Sequence, residues 1–234
     1  MKYADYSSLY HQHNKPASTI FHRYVSKKIG KAAGYICLEV GITPNMITTL
    51  TLLLVVSSGL IISIKNSNFY ILTAFILLQV SYGLDCVDGV VARITKCSSA
   101  FGEYFDILID RFNNIFIFIC IGYSDFIDND KLSLGIYTLC CSMMLLYSLA
   151  STFRKYIFNK KVDFKKIRSS SKGFLQIGKI AYEFIDTGTV YFFIFLGLFL
   201  DLVLQVFIVY GAVFCIMNFA ITILLYKHQY NKIG

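Results

Sequence analysis

The chain has 234 residues, of which 56% are apolar and 15% charged, with a mean hydropathy of +0.60. That balance belongs to polytopic membrane proteins and excludes an ordinary soluble domain. The net charge of +8 sits in basic blocks between apolar runs, where cytoplasmic loops and anionic headgroups account for it before any nucleic acid does.

Residues 1–18 are polar, short of apolar periodicity, and read as an N-terminal arm in which His11 and His13 are solvated. Residues 19–39 alternate Ile20, Phe21, Tyr24, Val25, Ile29 and Ile36 with Arg23, Lys27, Lys28 and Lys31. This pattern suits an amphipathic basic helix lying in the cytoplasmic interface, and equally an ordinary surface helix on a bundle. No cleavable signal peptide is expected, because a basic, mixed segment precedes the first long apolar run. Pro44 then stands where a helix begins, with Asn45 and Thr48 in its first turn.

Apolar runs follow over 46–64, 69–91, 101–123, 132–156, 180–200 and 202–226, each near the ~20 residues a bilayer core requires. The expected fold is an all-α integral membrane protein of six transmembrane helices with an N-terminal amphipathic interfacial helix. Residues 1–44 form the arm and juxtamembrane helix, and 45–234 the membrane domain. Basic residues cluster before the first run, at Arg93 and Lys96, and over 154–172, while the loops at 125–131 and Asp201 are acidic or nearly neutral. Both termini are therefore expected in the cytoplasm of a multi-pass inner-membrane protein. The seven cysteines lack metal-ligand spacing and read as small apolar residues, without a disulfide framework or zinc site.

The third run is the exception, since Glu103, Asp106, Asp110 and Arg111 interrupt it, and Asp85 and Asp88 close the second. An ionisable residue at membrane depth costs ~2.5–3.5 kcal/mol, so four aspartates ask for a compensating charge. Asp85 and Asp88 stand at i and i+3, and Asp106 and Asp110 at i and i+4, so each pair shares a helix face. Two opposed faces would make an all-oxygen cage suited to Mg²⁺ or Mn²⁺, cations that usually hold phosphates. Solvated carboxylates, or a structural ion pair with the adjacent arginine, remain the plainer reading of the same residues. Gly89, Ala92 and Gly102 lie one turn from Asp85, Asp88 and Asp106, and such small residues let a helix or ligand approach the backbone.

Written out, the pattern is D-x2-D-G-x2-A-R-x8-G-x3-D-x3-D over residues 85–110, and it resembles the signature of the CDP-alcohol phosphotransferase family at every fixed position. Thr43 to Thr48 also resembles the T-P-N-x-x-T element that opens the family's first spanning helix beside the nucleotide pocket. The resemblance implies a cytidine diphosphate donor, with two cations held by Asp85, Asp88, Asp106 and Asp110. It places Asn45, Thr48, Asp85, Gly89, Ala92, Arg93 and Gly102 at the nucleotide and makes Asp110 the general base. It also implies a homodimer.

The implied reaction moves a phosphatidyl group from a CDP-linked lipid such as CDP-diacylglycerol to a polar alcohol, releasing CMP. A phosphorylated acceptor such as inositol phosphate or glycerol phosphate would find cationic partners in Arg111, Arg154 and Arg168, whose guanidinium groups grip phosphate bidentately. A solvated cytoplasmic loop explains most of the basic residues of 154–172 as well. The Asp110–Arg111 pair looks like the inositol-phosphate-using branch, a case that Asn113 and Asn114 do not help. Two other readings stay open: transfer of a head group from a small CDP-alcohol to diacylglycerol, and a divalent-cation transporter, since intramembrane carboxylates also mark ion paths.

Overall fold

A computed structural model describes residues 3–14, 19–64, 67–128, 131–157 and 186–230, and among the described residues all regular structure is helical. Eight α-helices are numbered in chain order: α1 (Tyr3–His13), α2 (Lys27–Val40), α3 (Pro44–Ile64), α4 (Asn68–Ile94), α5 (Ala100–Asp128), α6 (Lys131–Ile157), α7 (Thr187–Phe199) and α8 (Val203–Tyr230). A π-helical turn, His22–Ser26, leads into α2. The apolar runs read from the sequence correspond to α3 through α8, except that 180–185 lie outside the described residues.

Helix α4 organises the bundle, packing against α2, α3 and α7 and, more lightly, α1. Its first half sends Ile71, Ala74 and Leu78 into one core with residues of α3 and α5 to α8, among them Ile117, Phe118, Tyr191 and Phe207. Its second half sends Leu84, Val87 and Val91 into another core, with Tyr6 and Tyr10 of α1, Cys37 of α2 and Ile47 of α3. Asp85 and Asp88 therefore stand within the second core's stretch, just past the changeover.

Helices α3 and α4 are long and apolar enough to cross a membrane, and shorter apolar stretches run over Gly135–Ala150, Thr187–Phe199 and Val203–Phe219. Large apolar side chains also face outward, including Leu53, Leu60, Phe69, Ile119, Leu149 and Phe219. An outward shell of that kind suits lipid, where helices associate by close packing and polar contacts instead of by exclusion of water. Such contacts join α3 to α4, among them Ser58 Oγ donating to the Ala74 carbonyl at 2.9 Å and Ser81 Oγ to the Thr51 carbonyl at 3.2 Å.

The N-terminal arm, read as polar and short of apolar periodicity, is helical over residues 3–13. These residues form α1, with Tyr6 and Tyr10 buried on α2 and α4. Tyr3, Tyr6 and Tyr10 repeat at helical spacing, and phenol rings pack as apolar groups even where a polar composition hides them. His11 is exposed as expected, whereas His13 is half-buried.

Candidate metal centre

A tight reversal between α4 and α5 builds the site. Thr95 Oγ1 donates to the Val91 carbonyl at 2.8 Å, and the Cys97 amide reaches back to the Ala92 carbonyl at 2.9 Å. Lys96 takes a left-handed φ of 57° between them. Ser99 then caps α5, its Oγ accepting the Gly102 amide at 3.0 Å. The opening turns of α5 are thus turned back toward the closing turns of α4, with α3 packed against both helices.

The reversal brings Asp85, Asp88 and Asp106 together: one carboxylate oxygen from each lies within 4.8 Å of the other two. Asp88 is only 7% exposed, and both its oxygens are held, Oδ1 by the Gly89 amide and Oδ2 by the Thr48 hydroxyl at 3.0 Å. Like charges at such separation repel strongly in a low-dielectric setting, so the cluster fits a divalent cation with hard oxygen preference. Asp110, one turn beyond Asp106, lines a cavity with Asp85.

The other expected residues fall into small groupings around the aspartates. A Cβ built on Gly102 would stand 3.3 Å from Asn45 Oδ1, so glycine admits the start of α3 beside α5. A Cβ on Gly89 would meet Arg93 Nη1 at 3.3 Å, which lays the guanidinium over that glycine. Ala92 is half-buried one turn past Asp88. Thr48 is buried and turned to Asp88, so its nearest task is to hold a carboxylate.

The cavity beside Asp85 and Asp110 has a volume of about 190 Å³ and is lined also by Ser81, Tyr82, Asn113, Asn114 and Tyr191. Asn114 Nδ2 donates to the Asp110 carbonyl at 2.8 Å, and its Oδ1 accepts from the Tyr191 hydroxyl at 3.2 Å. Asn113 is buried with no partner for Oδ1. Tyr82 donates to Asp186 Oδ1 at 2.9 Å, and the His22 ring packs edge-on against Tyr82. Burial holds the His22 imidazole below its usual range, opposed by Asp186 and reinforced by Lys27. Arg111 lines a separate cavity of about 110 Å³ that shares Asn114 and Thr187 with the first. Arg168 lies outside the described residues, and Arg154 sits in α6 where side chains lie outside them.

Sequence reasoning set Asn113 and Asn114 aside and passed over Ser81, Tyr82, Tyr191 and Asp186. The signal available was position: Ser81 and Tyr82 are one turn before Asp85, and Asn113 and Asn114 one turn after Asp110. Tyr191 and Asp186 carried no local signal, being 77 and 104 residues from their partners.

Comparison with known proteins covers this same region. The profile of CDP-alcohol phosphatidyltransferase matches residues 41–225, from the turn before α3 into α8. An archaetidylinositol phosphate synthase of Pyrococcus horikoshii is 32% identical over 122 residues, 52% of this chain and 59% of that protein. An uncharacterized protein of Aquifex aeolicus is 29% identical over 111 residues, 47% of this chain and 55% of that protein. The aligned stretches thus span little more than half the length of these curated relatives. With the profile running through most of its length and the aspartate cluster assembled inside the match, the chain belongs to the CDP-alcohol phosphatidyltransferase family.

Proposed function

We propose that the chain is a membrane phosphatidyltransferase that moves a phosphatidyl group from a CDP-linked lipid, such as CDP-diacylglycerol, to the hydroxyl of a polar alcohol with release of CMP. The observation that carries this reading is the convergence of Asp85, Asp88 and Asp106 within 4.8 Å. Those three, with Asp110 beside them, would hold Mg²⁺ or Mn²⁺, with two ions expected. The chemistry such cations supply when bound is neutralisation of a diphosphate and stabilisation of charge on the departing nucleotide.

The chain's own residues do the rest. Thr48 fixes Asp88, while Asn45, Gly89, Ala92, Arg93 and Gly102 receive the nucleotide. Asp110 takes the proton of the acceptor hydroxyl, whose oxygen forms the new bond to the lipid-side phosphorus as the bond to CMP breaks. The acceptor occupies the cavity at Asp85 and Asp110, and a phosphate on it would reach Arg111, with Arg154 and Arg168 as further partners. The relative named archaetidylinositol phosphate synthase supports a phosphorylated acceptor such as inositol phosphate, with glycerol phosphate as the other choice.

In the same reading, 45–234 is a six-span domain, 1–44 lies at its cytoplasmic face with α2 in the interface, and the assembly is a homodimer. Basic blocks before α3 and over 154–172 support cytoplasmic termini and a cytoplasmic site. The test is incubation of purified protein and Mg²⁺ with CDP-diacylglycerol and a panel of alcohols, reading CMP and lipid product by mass spectrometry. Metal-dependent CMP release that Asp106→Asn abolishes is expected. Equal release by both proteins would remove the reading, and product only from a small CDP-alcohol with diacylglycerol would reverse donor and acceptor.

A further inference from the structure

Arg93 is tied to the N-terminal helix: its Nε donates to the His13 carbonyl at 3.0 Å. Committing Nε to α1 leaves the four Nη hydrogens to act as one planar group, laid over Gly89 beside Asp88.

Helix α1 is built to stay docked. Tyr6 is fully buried, and Gly34 makes its socket, since a Cβ there would collide with the Tyr6 hydroxyl oxygen. Tyr10 donates to the Lys27 carbonyl at 3.2 Å. Lys31 Nζ donates to Ser7 Oγ at 2.7 Å and stands 5.8 Å and 6.0 Å from the ring centres of Tyr3 and Tyr10. Packing, hydrogen bonds and cation–π contacts thus converge on a helix whose far end touches one residue of the site.

We propose that α1 is a positioning element for the nucleotide: through the His13 carbonyl it holds the Arg93 guanidinium oriented for a phosphate of the donor. The inference rests on the placing of Arg93 at the nucleotide in the function proposed above. A free arginine must surrender its rotamer freedom when ligand binds, whereas here that freedom is lost on folding. Undocking α1 therefore weakens nucleotide binding and leaves the chemistry of the bound state unchanged.

The test uses the full chain carrying Tyr6→Ala with Tyr10→Ala, and separately Tyr10→Phe, which removes the hydroxyl's hydrogen bonds to Lys27 and Asn14 and keeps the ring. Hydrogen exchange of α1 verifies undocking, titration of CMP in the presence of Mg²⁺ reads binding, and steady-state assays separate KM from kcat. The double variant is expected to weaken CMP binding and raise the donor KM about ten-fold at unchanged kcat. Tyr10→Phe should shift both the same way by about two-fold. In an Arg93→Ala background neither change should weaken CMP binding further. An undocked α1 with undiminished CMP binding, or a loss that persists without Arg93, overturns the proposal. Failure of the wild-type protein to bind CMP at all would instead reject the nucleotide site itself.

Discussion

The Thr48 hydroxyl lies 3.0 Å from Asp88 Oδ2 and joins the first turn of α3 to the closing turns of α4. The contact links two motifs 40 residues apart, so the helix-start element and the aspartate motif are packed together. Partners that orient a metal-binding carboxylate typically alter metal affinity ~10–100-fold when removed. Thr48→Val is expected to raise the Mg²⁺ concentration for half-maximal CMP release about ten-fold, and Thr48→Ser to restore it. An unchanged Mg²⁺ dependence in Thr48→Val would assign the hydroxyl to the nucleotide alone.

The three converging carboxylates give a sharper expectation. Chelation should abolish CMP release, and Mg²⁺ or Mn²⁺ should restore it where Zn²⁺ does not, because the cluster offers oxygen and no sulfur or imidazole. Loss of one ligand removes several kcal/mol of transition-state stabilisation, so Asp106→Asn should lower kcat at least about a hundred-fold. Thermal melting of both proteins in detergent, with and without Mg²⁺, provides the second readout. The metal should raise the wild-type transition and leave that of Asp106→Asn nearly unmoved.

His22, packed against the cavity-lining Tyr82, predicts a pH dependence. Its folded pKa is lowered from 6.5, first by burial and further by Lys27, against the pull of Asp186. The unfolded chain therefore takes up a proton at higher pH than the folded one, and stability falls as pH drops below 6.5 toward the folded value. Melting temperature should decline between pH 7.5 and 5.5, and His22→Gln should flatten that decline. An identical slope in the variant would place the titration elsewhere.

Much of this arrangement was legible from residue types and spacing. Carboxylate pairs at i, i+3 and i, i+4 marked shared helix faces, and three of the four aspartates do meet. Pro44 and the small residues of the motif sit where a helix start and close approaches require them. Less legible was whatever depends on distant partners. Thr48 reads locally as a capping residue, and only the packing of α3 on α4 turns it to Asp88. The periodicity of α1 was hidden because Tyr3, Tyr6 and Tyr10 are scattered among polar residues, yet Tyr6 and Tyr10 bury their rings. The Asn114–Tyr191 and Tyr82–Asp186 contacts arise from the docking of α7, which no local pattern encodes.

Asn113 offers the clearest separation of structural from functional duty. Its side chain is 6% exposed, lines the cavity with Asp85 and Asp110, and leaves Oδ1 without a partner. A buried acceptor in that state costs ~1–3 kcal/mol, so replacing it with an apolar group of similar volume relieves a penalty. If Asn113 served only the fold, Asn113→Leu would lower the melting temperature by leaving its neighbours unpaired. If the free oxygen serves the acceptor alcohol, the same change should hold or raise the melting temperature while the acceptor KM rises about ten-fold. The donor KM should stay put, since none of Asn45, Gly89, Ala92, Arg93 and Gly102, the residues proposed to receive the nucleotide, lines this cavity. A parallel fall in stability and activity would return Asn113 to the core, and the cavity would lose its claim as the acceptor site.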